Sequence, residues 1–124
     1  MTELVLTLPA ERPMSWNAFY SGKHWTVRSR EKDRVTQVVR AALPADVVNA
    51  IGWPATRPVR IELTAYVKGR AMDADNVCSK LYIDALKGWV INDDDPAHVS
   101  EVVHRVIVDK RDPRVEIRVQ DDGR

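Results

Sequence analysis

The stretch DADNVCSKLYIDALKGWVINDDD, residues 73–95, is the most informative part of this sequence for both fold and function. It contains six aspartates, no glutamate, and only two positive side chains, Lys80 and Lys87. Its formal charge is therefore −4, whereas the rest of the chain has 17 Lys/Arg and 12 Asp/Glu and a charge of +5. Hard cations such as Mg²⁺ neutralise grouped carboxylates and keep positions open for water and phosphate. An acidic cluster in an otherwise basic chain indicates a metal-dependent enzyme that acts on a polyanion.

Apolar spacing inside this stretch predicts a helix from about Val77 to Lys87, with Gly88 suited to end it. One broad face of this helix is apolar, and the charged side chains Lys80, Asp84 and Lys87 share a narrow strip on the other side. The apolar face consists of Val77, Cys78, Leu81, Tyr82, Ala85 and Leu86.

The elements outside this stretch follow from similar patterns. Alternating apolar residues predict strands, and an apolar stripe that includes Val35, Val38 and Val39 predicts another helix. In order, we expect a strand over 4–8, irregular chain over 9–28, a helix from Ser29 to about Leu43, a short helical turn over 46–51, and strands over 59–67, 99–108 and 115–119. This order predicts a single α+β (mixed α/β) domain over residues 1–124, with a mixed sheet packed against two main helices.

Two groups of aspartates are candidate metal ligands. Asp73 and Asp75 would point the same way on an extended backbone, although Asp75 or Asn76 could instead only cap the following helix. The run 93–95 is either a solvated turn before Pro96 or the completion of the metal site. A calcium-binding loop that starts at Asp73 is excluded, because its sixth position is Cys78 where glycine is required.

Basic side chains supply candidate contacts to a polyanion. Lys80 either faces the acidic site, where it would meet a phosphate, or forms an i,i+4 ion pair with Asp84. The segment 23–40 has six Lys/Arg and reads either as a phosphate-binding face with a base-stacking tryptophan or as a solvated helix face with a core tryptophan. The candidate DNA-binding residues are Lys23, Trp25, Arg28, Arg30, Lys32 and Arg34. His98, His104 and Cys78 are interpreted as structural.

Composition limits the other possibilities. The single cysteine excludes an internal disulfide and fits a reducing cytoplasm. No stretch approaches the length of a membrane span, and the first residues do not resemble a signal peptide. We therefore expect a cytoplasmic protein without a membrane partner.

Asp73-x-Asp75-Asn76, Lys80, Asp84-Ala85-Leu86-x-Gly88 and Asp93-Asp94-Asp95 together resemble the RusA-type Holliday junction resolvases, also called crossover junction endodeoxyribonucleases. These are small proteins common in phages and prophages. Leu8-Pro9 and Pro13-Met14-Ser15-Trp16-Asn17 resemble the opening segment of that family. Two departures are visible: the lysine follows Asn76 by four residues instead of three, and the acidic turn has one aspartate more than the usual pair.

The resemblance implies a homodimer that makes paired, Mg²⁺-dependent nicks in branched DNA such as a four-way junction, with Mn²⁺ as a substitute. It fits roles in DNA recombination and repair in the cytoplasm of a bacterium or a phage-infected host. The implied catalytic and metal-binding residues are Asp73, Asp75 and one aspartate of the turn, Asp95 before Asp94, with Lys80 as a further catalytic residue. One alternative is a catalytically silent DNA-binding module of the same fold. Another is a DxD-type transferase, which the short chain and the lack of a Gly-rich nucleotide loop disfavour.

Overall fold

A four-stranded mixed sheet organises the protein. The structure, a computed structural model, describes residues 3–20, 25–43, 55–69 and 73–121. The strands are β1 (Glu3–Pro9), β2 (Val59–Val67), β3 (Val99–Val108) and β4 (Arg114–Asp121). They lie in the order β1-β4-β2-β3, with β2 and β3 parallel and the other neighbours antiparallel. All four predicted strands and the α+β class are confirmed.

Three described helices and one 3-10 turn complete the order. The helices are α1 (Trp16–Phe19), α2 (Trp25–Ala41) and α3 (Lys80–Leu86), and the 3-10 turn is Ala74–Asn76. The chain reaches β3 from β2 through this turn and α3, as a parallel pair requires. Helices α2 and α3 pack against each other. In the described part of the chain no helix is long and apolar enough to cross a membrane.

The helix bounds differ from the predicted ones in three places. Helix α2 begins at Trp25 instead of Ser29, because no glycine or proline interrupts the chain there. The short helix α1 lies in the segment predicted to be irregular, and Ser15 caps it by accepting a hydrogen bond from the Ala18 N–H. Helix α3 begins at Lys80 instead of Val77. The predicted turn over 46–51 lies outside the described residues.

The core lies between the helices and one face of the sheet. Alternate strand residues point into it and are buried, as the period-two pattern predicts; they include Leu4, Leu6, Leu8, Ile61, Leu63, Ala65, Val115, Ile117 and Val119. The predicted apolar face of α3 is buried in full. Gly88 ends the helical segment with φ of 77°, a left-handed conformation that glycine adopts without strain.

The buried carboxylate of Glu11, in the segment after β1, is bonded to residues of both α2 and α3. The Arg34 guanidinium donates to both carboxylate oxygens of Glu11, at 2.8 and 2.9 Å, and the Tyr82 hydroxyl donates to Glu11 Oε2 at 2.6 Å. Glu11 is only 6% exposed. Burial acts to raise the pKa of Glu11, but the hydrogen bonds from Arg34 and Tyr82 outweigh it and the pKa is lowered. The network fixes the position of the segment that leads into α1.

Candidate active site

The first acidic group lies after β2, on a backbone that is only partly extended. Asp73 is extended, with φ −68° and ψ 143°, whereas Asp75 lies inside the 3-10 turn, which the Asn76 N–H closes by donating to the Asp73 carbonyl at 2.9 Å. The extended-backbone argument for pairing the two side chains is therefore wrong. Both residues are exposed. Neither carboxylate has a hydrogen-bond or ion-pair partner within the described ranges, so both are available to a ligand.

The DADN segment is held by the segment before α1. Ser15 and Val77 form an antiparallel bridge, and the Cys78 N–H donates to the Met14 carbonyl at 3.0 Å. The Asn76 side chain accepts a hydrogen bond from the Asn17 N–H at 3.3 Å. These contacts keep Val77 and Cys78 outside α3, which explains its late start.

The predicted capping role of Asp75 or Asn76 at the following helix is wrong. The N-cap residue of α3 is Ser79, which makes no side-chain capping bond. The amide of Asn76 instead ties the DADN segment to α1. Asp75 is thereby left without a structural function that the described residues reveal.

The second acidic group has local partners for each of its residues. Asp93 accepts a hydrogen bond from the Asp94 N–H at 2.8 Å, and Asp94 Oδ2 lies 3.2 Å from Lys87 Nζ. The Asp95 carbonyl accepts hydrogen bonds from the two backbone N–H groups that lead into β3, and its carboxylate contacts His98 Nδ1. The run 93–95 is thus an ordered turn, and His98 has a partner that the sequence analysis missed.

A chain of alternating charges connects α3 to this turn. The Asp84 carboxylate lies between Lys80, at 3.5 Å, and Lys87, at 3.3 Å, and Lys87 also contacts Asp94. Burial acts to lower the pKa of Lys87, but hydrogen bonds to Asp94 and Asp84 raise it overall. Partial burial acts to raise the pKa of Asp94, but Lys87 lowers it overall. The i,i+4 pair of Lys80 is therefore formed, while its side chain remains 51% exposed.

The two acidic groups lie at opposite ends of α3. The helix has seven residues, which corresponds to a rise of roughly 10 Å. Asp73 and Asp75 precede its first turn, whereas Asp94 contacts Lys87, just beyond its last residue. Across the ranges that the structure describes, no three His, Cys, Asp or Glu side chains are arranged to hold one metal ion. By chemistry the oxygen-only donors of Asp73 and Asp75 fit a hard cation, but the described chain does not bring the 93–95 turn to them.

The basic residues of α2 divide into engaged and available side chains. Arg34 is held by Glu11 and by Glu31, whose carboxylate lies 2.7 Å from it, and these hydrogen bonds raise the pKa of its guanidinium. Arg28, Arg30 and Lys32 have no side-chain partner in the part of the chain that is described. Arg34 is therefore largely neutralised, and the other three are the side chains available to an anion.

Trp25 is 65% exposed, so its interpretation as a core tryptophan is wrong. An exposed indole remains suited to base stacking. Lys23, the other candidate at the start of this segment, lies outside the described residues.

Sequence reasoning missed four contacts in this region: Asp84 with Lys87, Asn17 with Asn76, Lys87 with Asp94, and Asp95 with His98. Asp84 and Lys87 could have been found from their i,i+3 spacing on the charged strip of α3. The contacts of Asn17 with Asn76 and of Lys87 with Asp94 had no local signal, because each depends on how distant or looped chain segments pack. His104 was interpreted as structural; its Nε2 is buried without a described partner, and burial lowers the pKa of its imidazole.

Comparison with protein-family models gives a match over most of the chain. The model of a protein family described as "Endodeoxyribonuclease RusA" matches residues 24–120. No curated protein matches the chain. The matched span runs from the residue before α2 to the last residue but one of β4 and includes both acidic groups, Lys80 and the available basic residues of α2. The chain therefore belongs to the RusA endodeoxyribonuclease family.

Proposed function

We propose that this protein is a divalent-metal-dependent endonuclease that resolves four-way DNA junctions by paired nicks. The observation that carries the proposal is the exposed, unpartnered state of the Asp73 and Asp75 carboxylates within the described residues. Most other carboxylates of the described chain are paired with arginine, lysine or backbone N–H groups. Two exposed carboxylates, two residues apart in the chain and without such partners, are available to bind a cation.

Asp73 and Asp75 would hold the cation, Mg²⁺ or Mn²⁺. The third ligand that the resemblance implies, an aspartate of the 93–95 turn, lies beyond the other end of α3 in the described chain. When bound, such a cation supplies Lewis-acid chemistry for phosphodiester hydrolysis. The chain itself contributes the orientation of DADN, which the bonds to the segment before α1 fix. Lys80, half-exposed at the start of α3, would approach a non-bridging phosphate oxygen and stabilise its developing charge.

DNA binding is assigned to Arg28 and Lys32, the two available side chains on one side of α2, together with Trp25. Their charges would contact phosphates, and the exposed indole would stack on a base. A homodimer is part of the proposal, because a two-fold pair of sites matches the symmetry of a four-way junction. A DNA substrate of this kind implies action in the cytoplasm of a bacterium or an infected host.

The test is cleavage of an end-labelled four-way junction by wild type, Asp75→Asn and Asp112→Asn. We expect paired nicks by wild type in Mg²⁺ or Mn²⁺, none in EDTA, and none by Asp75→Asn. The matched control Asp112→Asn removes the same charge from an exposed aspartate in the turn between β3 and β4, and should cleave normally. Nicking in EDTA would refute the metal-dependent mechanism.

The same experiment separates the proposal from a catalytically silent DNA-binding module of this fold. Such a module would retard the junction in a gel and leave it intact in Mg²⁺. Equal cleavage of linear duplex and junction would preserve the nuclease chemistry and refute the junction selectivity.

A further inference from the structure

Three aromatic side chains beside the DADN segment form a cluster with one exposed ring. Trp16 and Tyr20 are stacked, with ring centroids 5.6 Å apart and ring planes inclined by 6°. Phe19 meets both at nearly right angles, with centroids 6.2 Å from Trp16 and 5.0 Å from Tyr20. Trp16 and Phe19 pack against the hydrophobic core, whereas Tyr20 is 61% exposed. The cluster therefore presents one aromatic ring to solvent on a base of two anchored rings.

Backbone hydrogen bonds connect this cluster to the acidic site. The Tyr20 N–H donates to the Trp16 carbonyl at 3.0 Å, which closes α1 directly under the exposed ring. The same short helix carries Asn17, whose N–H binds the Asn76 side chain, and Ser15 just before it pairs with Val77. The exposed ring and the Asp73/Asp75 segment are thus held in a fixed relationship.

The shape of the exposed area indicates what would cover it. A single tyrosine ring is far smaller than the roughly 1,000 Å² that a specific protein–protein interface buries. A nucleobase matches the size of one ring, and every base offers a face for stacking. Arg12 is exposed and lines a groove together with Met14, Ser15, Ala18 and Glu31. The Glu31 carboxylate is paired with Arg34, so the charge of Arg12 can meet a neighbouring phosphate.

We propose that Tyr20, backed by Trp16, is a stacking platform for an unpaired DNA base next to the cleavage site. This inference rests on the proposed function and adds a binding site for an opened base at the branch point. Stacking would hold that base out of the duplex and place the adjoining phosphate near the DADN carboxylates. The site would not select a particular base, because stacking uses the ring face and not the hydrogen-bonding edge.

The test measures binding without cleavage, in EDTA, to a four-way junction that carries 2-aminopurine at the branch point. The variants are Tyr20→Ala, Tyr20→Phe and Tyr20→Leu, with Ile107→Ala as a control that removes another exposed apolar side chain, on β3. Tyr20→Ala and Tyr20→Leu should weaken binding by about 5- to 150-fold, as loss of one base–aromatic stack does. Tyr20→Phe and Ile107→Ala should bind as wild type.

Fluorescence of the 2-aminopurine gives a second readout of the same complex. A base stacked on Tyr20 should change its emission on binding of wild type and Tyr20→Phe, and this change should disappear with Tyr20→Leu. Unchanged affinity and emission for Tyr20→Leu would overturn the platform while leaving the nuclease proposal intact. Equal losses for Tyr20→Phe and Tyr20→Ala would assign the effect to the hydroxyl and overturn stacking. A wild-type protein that binds no junction would overturn the proposed function and the platform together.

Discussion

Lys87 Nζ lies 3.2 Å from Asp94 Oδ2, and this contact connects the end of α3 to the acidic turn. Lys87 also neutralises Asp84, whose carboxylate is only 11% exposed. We predict that Lys87→Met destabilises the fold by at most about 1 kcal/mol, because Asp94 is well exposed and solvent screens that pair, and because Asp84 keeps its pair with Lys80. Urea unfolding at pH 7 measures this, and Lys87→Arg, which keeps the charge, should retain most of the stability.

The same contact predicts a pH dependence. The folded-state pKa of Asp94 is lowered, so the stability it contributes is present above its unfolded pKa and is lost as pH falls through the folded value. Lys87→Met removes the main stabilising partner of the ionised carboxylate. The variant should therefore lose less stability than wild type on acidification below about pH 4. If the free energies of unfolding of the two proteins changed equally with pH across this range, the Lys87–Asp94 pairing would be contradicted.

Breaking the Glu11–Arg34 pair should destabilise the fold more than Lys87→Met does. Arg34→Met would leave the buried Glu11 carboxylate with only the Tyr82 hydroxyl as a partner. It should lower the free energy of unfolding by about 2–3 kcal/mol. This is less than is usual for a broken buried pair, because Arg34 is 43% exposed. Tyr82→Phe, which removes one hydrogen bond, should cost about 1–2 kcal/mol. Thermal melts at pH 7 check both values.

Acidification should reduce the difference in free energy of unfolding between Arg34→Met and wild type. The pKa of Glu11 is lowered in the fold, so its contribution holds above the unfolded pKa and disappears as pH falls through the folded one. A constant difference between pH 7 and pH 3 would show that the cost comes from lost packing of the arginine stem instead of lost charge pairing.

The strands were predictable and the placement of the site was not, for physical reasons that particular residues illustrate. The alternation of apolar and polar residues along β2 predicts that Ile61 and Leu63 lie on the buried face of the strand, because successive side chains of a strand point to opposite faces. The buried face of α3 followed likewise from its 3.6-residue period. Both are local properties that a short window of sequence contains.

The start of α3 and the positions of the two acidic groups depend on long-range contacts. Val77 and Cys78 have helical spacing, but pairing with Ser15 and Met14, about sixty residues earlier, keeps them out of the helix. The sequence analysis considered Asp73, Asp75 and the 93–95 turn as one possible metal site, whereas α3 separates the two groups along its axis. A sequence shows that like charges are close along the chain, but only packing decides whether they are close in space.

His104 predicts a loss of stability near neutral pH. Burial lowers the pKa of its imidazole, and no described group partners its Nε2. The folded protein therefore resists protonation of His104, and stability falls as pH decreases through the unfolded value of about 6.5. His104→Gln, which cannot be protonated, should flatten the decline between pH 7 and pH 5. Chemical unfolding at several pH values checks this, and an equally steep decline in the variant would contradict the assignment.

Cation binding at DADN predicts stabilisation by mass action. An ion that binds only the folded protein raises its stability by about 1.4 kcal/mol at ten times the dissociation constant. Melting temperature should therefore increase with Mg²⁺ or Mn²⁺ for wild type and for Asp112→Asn, and much less for Asp75→Asn. A melting temperature that is independent of millimolar metal in wild type would argue against Asp73 and Asp75 as ligands.

The geometry of α2 predicts that its basic residues contribute unequally to DNA binding. Arg28 and Lys32 are one helical turn apart and lie on the side of α2 that carries the buried Val35 and Val39. Arg30 lies about 160° around the helix from Arg28. One DNA backbone cannot contact both sides at once, and the Arg28/Lys32 side carries two available charges, whereas Arg30 is alone among the three on the other side. We therefore expect Arg28 and Lys32 to contribute more than Arg30 to the binding of junction phosphates.

The double variant Arg28→Ala/Lys32→Ala should weaken junction binding in EDTA and reduce the slope of log K against log salt by about 2, since two fewer counterions are released. Arg30→Ala is the matched control and should keep the wild-type slope. Arg34 is unsuited to this test, because its replacement also breaks the pair with Glu11. A steeper loss for Arg30→Ala than for the double variant would place the DNA on the opposite side of α2, away from Val35 and Val39.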